Sequence, residues 1–419
     1  MFNALLCSRA STPRFLLLLL ALLASWPARA ADWPQWRGPK RDGLSTEQGL
    51  LSHVPSNGPA VAWMARGLGR GYSSVSVAKG QIFTMGDGEQ KSFVHALNAK
   101  DGKLQWSAAL GAPGGNYEGT RCTPTVDGDL VFALGQHGDL VCLQASSGTE
   151  MWRKSMDRDF KGKMMSGWGY SESPLVDGGR VIVTPGGSNG TVVALDRKTG
   201  AMAWRSTNWT DRAAYSSVIV AVIDGVRQYI QLSDATVAGL AAEDGRVLWR
   251  AKRKGSTAVI PTPIYKANHV LVSSGYGVGC NLFKITSGAA GFAAEEVYAN
   301  KDLVNHHGGM VLVGDHVYGH SDSKEWVCME FLTGKLVWSD PGVGKGAVVG
   351  GDGKLFTRKE DKQGTVALVE ASPAGYREHG RFAQPERSTK NSWAHPVIAN
   401  GRLYLRDQDV LLCYEVTEK

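Results

Sequence analysis

One phrase recurs around this chain and restricts it to a repeat fold: an apolar pair, a small residue, Leu, an acidic or polar residue, a turn ending in Gly, then Trp. Val192-Val193-Ala194-Leu195-Asp196-Arg197-Lys198-Thr199-Gly200-Ala201-Met202-Ala203-Trp204 is the clearest copy. Others run Val94 to Trp106, Leu140 to Trp152, Val237 to Trp249 and Trp326 to Trp338. A unit repeated at this period cannot bury its own apolar face and needs neighbours. Within the phrase, two short apolar runs flank a turn whose Gly reaches positive φ without steric cost. It reads as a hairpin with Leu195 on the inner strand and Trp204 on the outer one. An indole hides about 150–250 Å² at low entropic cost, so one Trp per unit fills the wedge between adjacent sheets.

A second phrase precedes each copy: apolar alternation, then a tight turn, then more alternation. Its turn glycines at 80, 128, 178, 225, 314, 353 and 401, with Asn268 in the remaining slot, lie 39–50 residues apart. Each such hairpin joins a Leu-to-Trp hairpin to give four strands, and four strands at that spacing predict a β-propeller blade. The count is eight blades, or seven if a degenerate unit is discounted. The unit over Asn281 to Val297 lacks the Gly-to-Trp spacing, and the unit over Ala367-Leu368-Val369-Glu370 reaches Tyr376 without a Trp. The last unit ends after Leu411-Leu412-Cys413-Tyr414, whereas an orphan strand, Ala60-Val61-Ala62-Trp63, precedes the first. Trp63 is therefore expected to complete the last blade, closing the ring and removing its open edge. The fold class is all-β, an eight-bladed propeller of four-stranded antiparallel blades over residues 60–419.

Residues 1–30 read as a secretory leader, with Arg9 and Arg14, an apolar stretch from Phe15 to Ala24 and an Ala28-Arg29-Ala30 cleavage site. Cleavage after Ala30 places the chain in the periplasm or outside the cell, with no transmembrane segment remaining. Of 46 Lys+Arg, three lie in the leader, leaving 43 against 39 Asp+Glu, a net +4. So mild a balance, with no basic run interleaved with aromatics, argues against nucleic acid as a partner. Five cysteines remain, and Cys142, Cys328 and Cys413 occupy the slot that Ala194 holds in the clearest repeat. They read as buried small side chains, and no Cys-x-x-Cys suggests a metal cluster.

In a propeller the first strand of each blade lines the central channel, so the residues entering those strands converge on one rim. The eight entries supply Tyr72, Arg121, Glu172, Tyr215, His306, Lys345, Trp393 and His395, the candidate ligand-binding residues. Five entries carry a hydroxyl at their third position (Ser74, Thr123, Ser173, Ser217 and Thr262), which predicts a ring of hydroxyls bonded to backbone or to water in the channel. His306 and His307 are adjacent, so on a strand they face opposite ways and do not share a metal. The segment 31–59, with Trp33 and Trp36, is expected to pack across the ring face.

The repeat Ala194-Leu195-Asp196-Arg197-Lys198-Thr199-Gly200-x-x-x-Trp204 resembles the tryptophan-docking repeat of quinoprotein, or PQQ-like, β-propellers, over roughly residues 60–416. Asp32-Trp33-Pro34-Gln35-Trp36-Arg37-Gly38-Pro39 resembles the lead-in of secreted bacterial proteins of this type. The resemblance implies one of two functions. Non-catalytic relatives, such as assembly factors of the BamB type, bind partner proteins, which implies a binding or scaffold module taking a protein or small-molecule ligand at the propeller face. The alternative is a pyrroloquinoline-quinone- and calcium-dependent dehydrogenase of alcohols or sugars. There Glu172 would ligate calcium, Arg121 would steady the quinone oxygens, and Trp168 or Trp393 would stack on the ring. This chain lacks the vicinal cysteines of many such alcohol dehydrogenases and carries no lipidated cysteine after its leader.

Overall fold

A computed structural model describes Met1 and residues 31–418; the expected leader lies otherwise outside the described residues. Eight antiparallel sheets are arranged as blades one to eight. Their first strands are Ser76–Ala78, Thr125–Asp127, Leu175–Asp177, Ile219–Ile223, Ile264–Lys266, Met310–Val313, Gly346–Gly351 and Val397–Ala399. The ring closes as the repeat arithmetic predicts. Val61–Ala65 pairs antiparallel with Val410–Glu415 as the outer strand of blade eight, Trp63 opposite Cys413. Among the described residues no helix is long and apolar enough to cross a membrane.

Side-chain size explains the repeat phrase. Across the outer strand pairs of blades one, two, three, four and six, Trp lies opposite the slot for a small residue: Trp106 with Ala96, Trp152 with Cys142, Trp204 with Ala194, Trp249 with Gly239 and Trp338 with Cys328. The cysteines there are buried and free, as the small-side-chain reading expects. Most of these indoles then dock on the next blade. Trp152 Nε1 donates to Arg197 O at 3.0 Å, and Trp106 and Trp338 donate to Ala145 O and Ser372 O, each at 2.9 Å. A Cβ on Gly200 (φ +68°) would come within 2.8 Å of Trp152, so the turn glycine serves both the backbone and the indole beyond it. Trp249 differs, donating to Gln228 Oε1 of its own blade at 2.7 Å. In degenerate blade five, Tyr298 takes over: its hydroxyl donates to Phe331 O at 2.8 Å, and its ring lies under Gly334.

The lead-in does not lie across the ring face. It enters the channel, touching the innermost strand or its flanking loop in every blade. Trp33 bridges Val77 of blade one, and Pro34 O accepts from Val126 N of blade two at 2.7 Å. Arg41 donates to Ser173 O (3.0 Å) and Pro174 O of blade three and to Val218 O (2.6 Å) before blade four. Trp36 Nε1 donates to Thr262 Oγ1 before blade five at 2.9 Å, and Arg37 donates to Met310 O of blade six. Leu44–Ser45 adds a fifth, parallel strand to blade seven against Gly350 and Gly351. Glu47 Oε2 accepts from Gly401 N of blade eight at 2.7 Å. Arg37 and Arg41 are buried, and backbone carbonyls take most of their hydrogen bonds. Four of the five expected hydroxyls are bonded beside this segment, that of Thr262 to Trp36 and the others to the chain around them: Ser74 Oγ donates to His395 O, Ser173 Oγ accepts from Thr123 N, and Ser217 Oγ accepts from Ser173 N, whereas the Thr123 hydroxyl is unpaired among the described residues.

Candidate functional site: an aromatic cup at the channel mouth

The loops entering the first strands, with Trp36 of the lead-in, enclose a cavity of about 210 Å³. Of the candidates, Tyr72, Arg121, Tyr215, His306, Trp393 and His395 line it. Trp36, Tyr117, Trp168, Tyr276 and His307 complete the wall and floor. The rings form a near-continuous arc. Centroid separations are 4.8 Å for Tyr276 and His306, 4.7 Å for His306 and His307, and 5.5 Å for His307 and Trp393. The arc continues through Trp393 and Tyr117 at 5.4 Å, Tyr117 and Trp168 at 6.0 Å, and Trp168 and Tyr215 at 6.2 Å. Tyr72 adds to Trp393 at 4.7 Å, and His395 packs on Trp36 at 4.5 Å. These separations lie in the range where tilted aromatic pairs attract.

Two candidates fall outside the cavity. Glu172 is 1% exposed, and its carboxyl turns into the ring to accept from Thr184 N (2.8 Å) and Thr184 Oγ1 (2.9 Å). Its pKa is pushed up to about 8 by burial, which the Thr184 hydrogen bonds and Arg41 only partly offset. The entry loop before Leu175–Asp177 turns this side chain onto Thr184 of its own blade rather than into the cavity. Lys345 lies behind the wall, its ammonium 2.8 Å from Asp322 Oδ1 and donating to His306 Nδ1 at 2.8 Å.

That lysine fixes the state of the imidazole in front of it. Burial, with His307 and Lys345 adding to it, pulls the His306 pKa down to about 4, so the ring is neutral at pH 7. With Nδ1 accepting, the proton resides on Nε2. His395 is likewise neutral, its pKa lowered to about 3 by burial and then by Arg37; its Nε2 donates to His307 O at 2.8 Å. His306 and His307 belong to a loop, so both line the cavity, against the strand-based expectation. His307 Nε2 is 2.5 Å from Glu360 Oε2. Arg121 does not pair with Glu172. Its guanidinium donates to the carbonyls of Trp168, Asn116 (2.6 Å) and Tyr117 (2.7 Å), a strut that holds the cup's loops.

Tyr117, Tyr276 and Trp36 line the cavity from outside the eight aligned entries. Tyr276 lies on a turn inside blade five, Gly275-Tyr276-Gly277, outside the entry alignment, and Trp36 was expected on the ring face. Both Tyr117 and Tyr276 hold φ of +56°, a conformation that bulky residues rarely adopt, and both lie on the lip, 55% and 48% exposed. Backbone strain of this kind collects where function requires a side chain in one place.

The donor set does not fit calcium with the quinone. Among the described residues no three His, Cys, Asp or Glu side chains converge to hold a metal ion. Glu172, the one proposed ligand, is committed to Thr184 and favours its neutral form.

A family model described as "Outer membrane protein assembly factor BamB" matches residues 90–340. The chain is similar to the outer membrane protein assembly factor BamB of Kangiella koreensis, 25% identical over 221 residues, covering 50% of this chain and 49% of that relative. The chain thus spans about half the length of that curated relative. Among solved structures, BamB from Moraxella catarrhalis superposes with a TM-score of 0.62 at 16% identity, covering 86% of this chain and 98% of that one. The quinohemoprotein alcohol dehydrogenase of Comamonas testosteroni superposes with a TM-score of 0.64 at 12% identity, covering 94% and 81%. At such identities the structural likenesses show the fold alone.

Proposed function

Since this chain belongs to the PQQ-like propeller family of outer membrane protein assembly factor BamB, we propose that it is a binding module working in the periplasm or outside the cell, with the aromatic cup as its ligand surface. The observation that carries this reading is the convergence of seven Trp and Tyr rings, from separate entry loops, a blade-five turn and the lead-in, on one cavity. A concave, mostly apolar site with a few polar groups is the usual form of a ligand pocket. The leader's basic start, apolar stretch and Ala28-x-Ala30 site support the location. The dehydrogenase alternative keeps its fold-level support but lacks a fitting calcium set, so binding without redox chemistry is the better reading.

The test is a ligand-observed NMR fragment screen on the chain beginning at Ala31. Parent protein should hold fragments that compete for one site, and Trp168→Ala with Trp393→Ala should release them while circular dichroism stays unchanged. Fragment binding indifferent to both substitutions would remove the cup from the account.

A further inference from the structure

The charges around the cup restrict what it takes. Its lining contains no carboxylate, so a cation would find aromatic faces but no counter-ion, and Arg121 beside it would repel it. An anion fares no better. Arg121 is the one guanidinium or ammonium in the lining, and it is tied to three loop carbonyls. Lys345 behind the wall is held by Asp322 and His306. Glu360 is likewise engaged, by His307 at 2.5 Å and by Trp393 Nε1 at 3.2 Å. The charged groups near the cavity are thus spent on the protein itself, and the ligand is uncharged.

The polar groups that remain free are of another kind. The hydroxyls of Tyr72, Tyr117 and Tyr276 make no hydrogen bond to the rest of the described chain, and Ser171 adds a further hydroxyl to the lining. Neutral His306 presents an Nε2–H. Such groups both donate and accept, which matches ligand hydroxyls rather than carboxylates or ammonium groups. Adjacent rings are tilted by 29° to 86°, so the wall is a curved cage of faces and edges and not a slot for a flat polycycle. A volume of about 210 Å³ falls below the roughly 300–1,000 Å³ of pockets that enclose a drug-sized molecule. The space suits one small ring.

We infer that the cup binds one sugar ring of a neutral saccharide, its C–H faces against Trp393 and Trp168 and its hydroxyls on the tyrosine and histidine edges. This rests on the cup being the ligand site, and deepens that reading by naming the ligand class.

The experiment titrates the chain from Ala31 by calorimetry and tryptophan fluorescence. The ligands are neutral mono- and disaccharides of gluco, galacto, manno and xylo configuration, with hexuronate, choline and indole as charged and flat comparisons. Neutral saccharides should bind, and Trp393→Ala should weaken them about tenfold or more, the worth of one lost aromatic contact. Tyr117→Phe, which keeps the ring, should weaken saccharides and leave indole unaffected. Circular dichroism and the melting temperature confirm that both variants fold. Trp393-dependent binding of hexuronate, choline or indole, with neutral saccharides silent, overturns the ligand class but leaves the cup as the site. If no ligand of the panel binds in a Trp393-dependent way, the saccharide inference falls; the fragment screen then decides separately whether the cup survives.

Discussion

Glu172 shows how residue type and residue role part company. From its place in the repeat it belongs to the rim, yet its carboxyl is buried against Thr184 with a pKa of about 8. Between the ordinary carboxylate value and 8, an unfolded chain has lost the proton that the folded one keeps, so stability declines as pH rises through that window. Glu172→Gln should therefore gain stability over the parent as pH rises from about 5 to 8, by up to about 1.4 kcal/mol per unit. Urea denaturation at the two pH values checks this, and an equal offset at both would contradict it. Six of eight rim candidates line the cavity, because alignment of the repeats gives their position. Glu172 and Lys345 do not, because alignment fixes where a Cα stands and not which way the side chain turns. Tyr276 was hidden for a different reason: it comes from a turn that only blade five brings to the mouth.

At the scale of the strand, the repeat phrase held nearly the whole fold. Small residue, turn glycine and Trp are three parts of one contact that joins one blade to the next, as Trp152 of blade two does beneath Gly200 of blade three. Trp152→Ala should cost about 3–5 kcal/mol, as large core truncations do. Gly200→Ala should also be destabilising, by more than the roughly 1 kcal/mol expected from φ alone, because the added methyl meets that same indole. If the two losses add fully in the double variant, the contact joining them is absent. The sequence did not show the bulge. In every blade the register slips along the outer strand pair, beside the Trp where there is one, for example between Ala194 and Leu195 and between Cys328 and Met329. A bulge inserts one unpaired residue and sharpens the twist, and no residue type marks it. Blade five was also opaque, because Tyr298 does the work of Trp from a hairpin of ten-residue strands that breaks the spacing.

Across the whole molecule, the lead-in makes the ring one body. Arg41→Ala would strip buried hydrogen bonds from the carbonyls of Ser173, Pro174 and Val218. At about 1.5–3 kcal/mol for each bond to a charged donor, the loss should be severe and readable as a lowered denaturation midpoint. Burial also keeps several histidines neutral: His95, His306 and His320 near pKa 4, and His395 near 3. An unfolded chain takes up those protons below about 6.5, so stability is lost as pH falls from there toward 4. His320→Gln should flatten part of that acid slope in thermal melts between pH 7 and 4.5.

The arm that fills the hub touches all eight blades, yet a ribosome makes it before any of them. It has no berth until the final hairpin, hundreds of residues later, has found Trp63. This early-made segment is thus the last able to seat, and until then Trp33, Trp36 and two arginines remain without their burial partners. Once it is home, Trp36 joins the wall of the cavity at the mouth, so that cavity is complete only after the arm has seated.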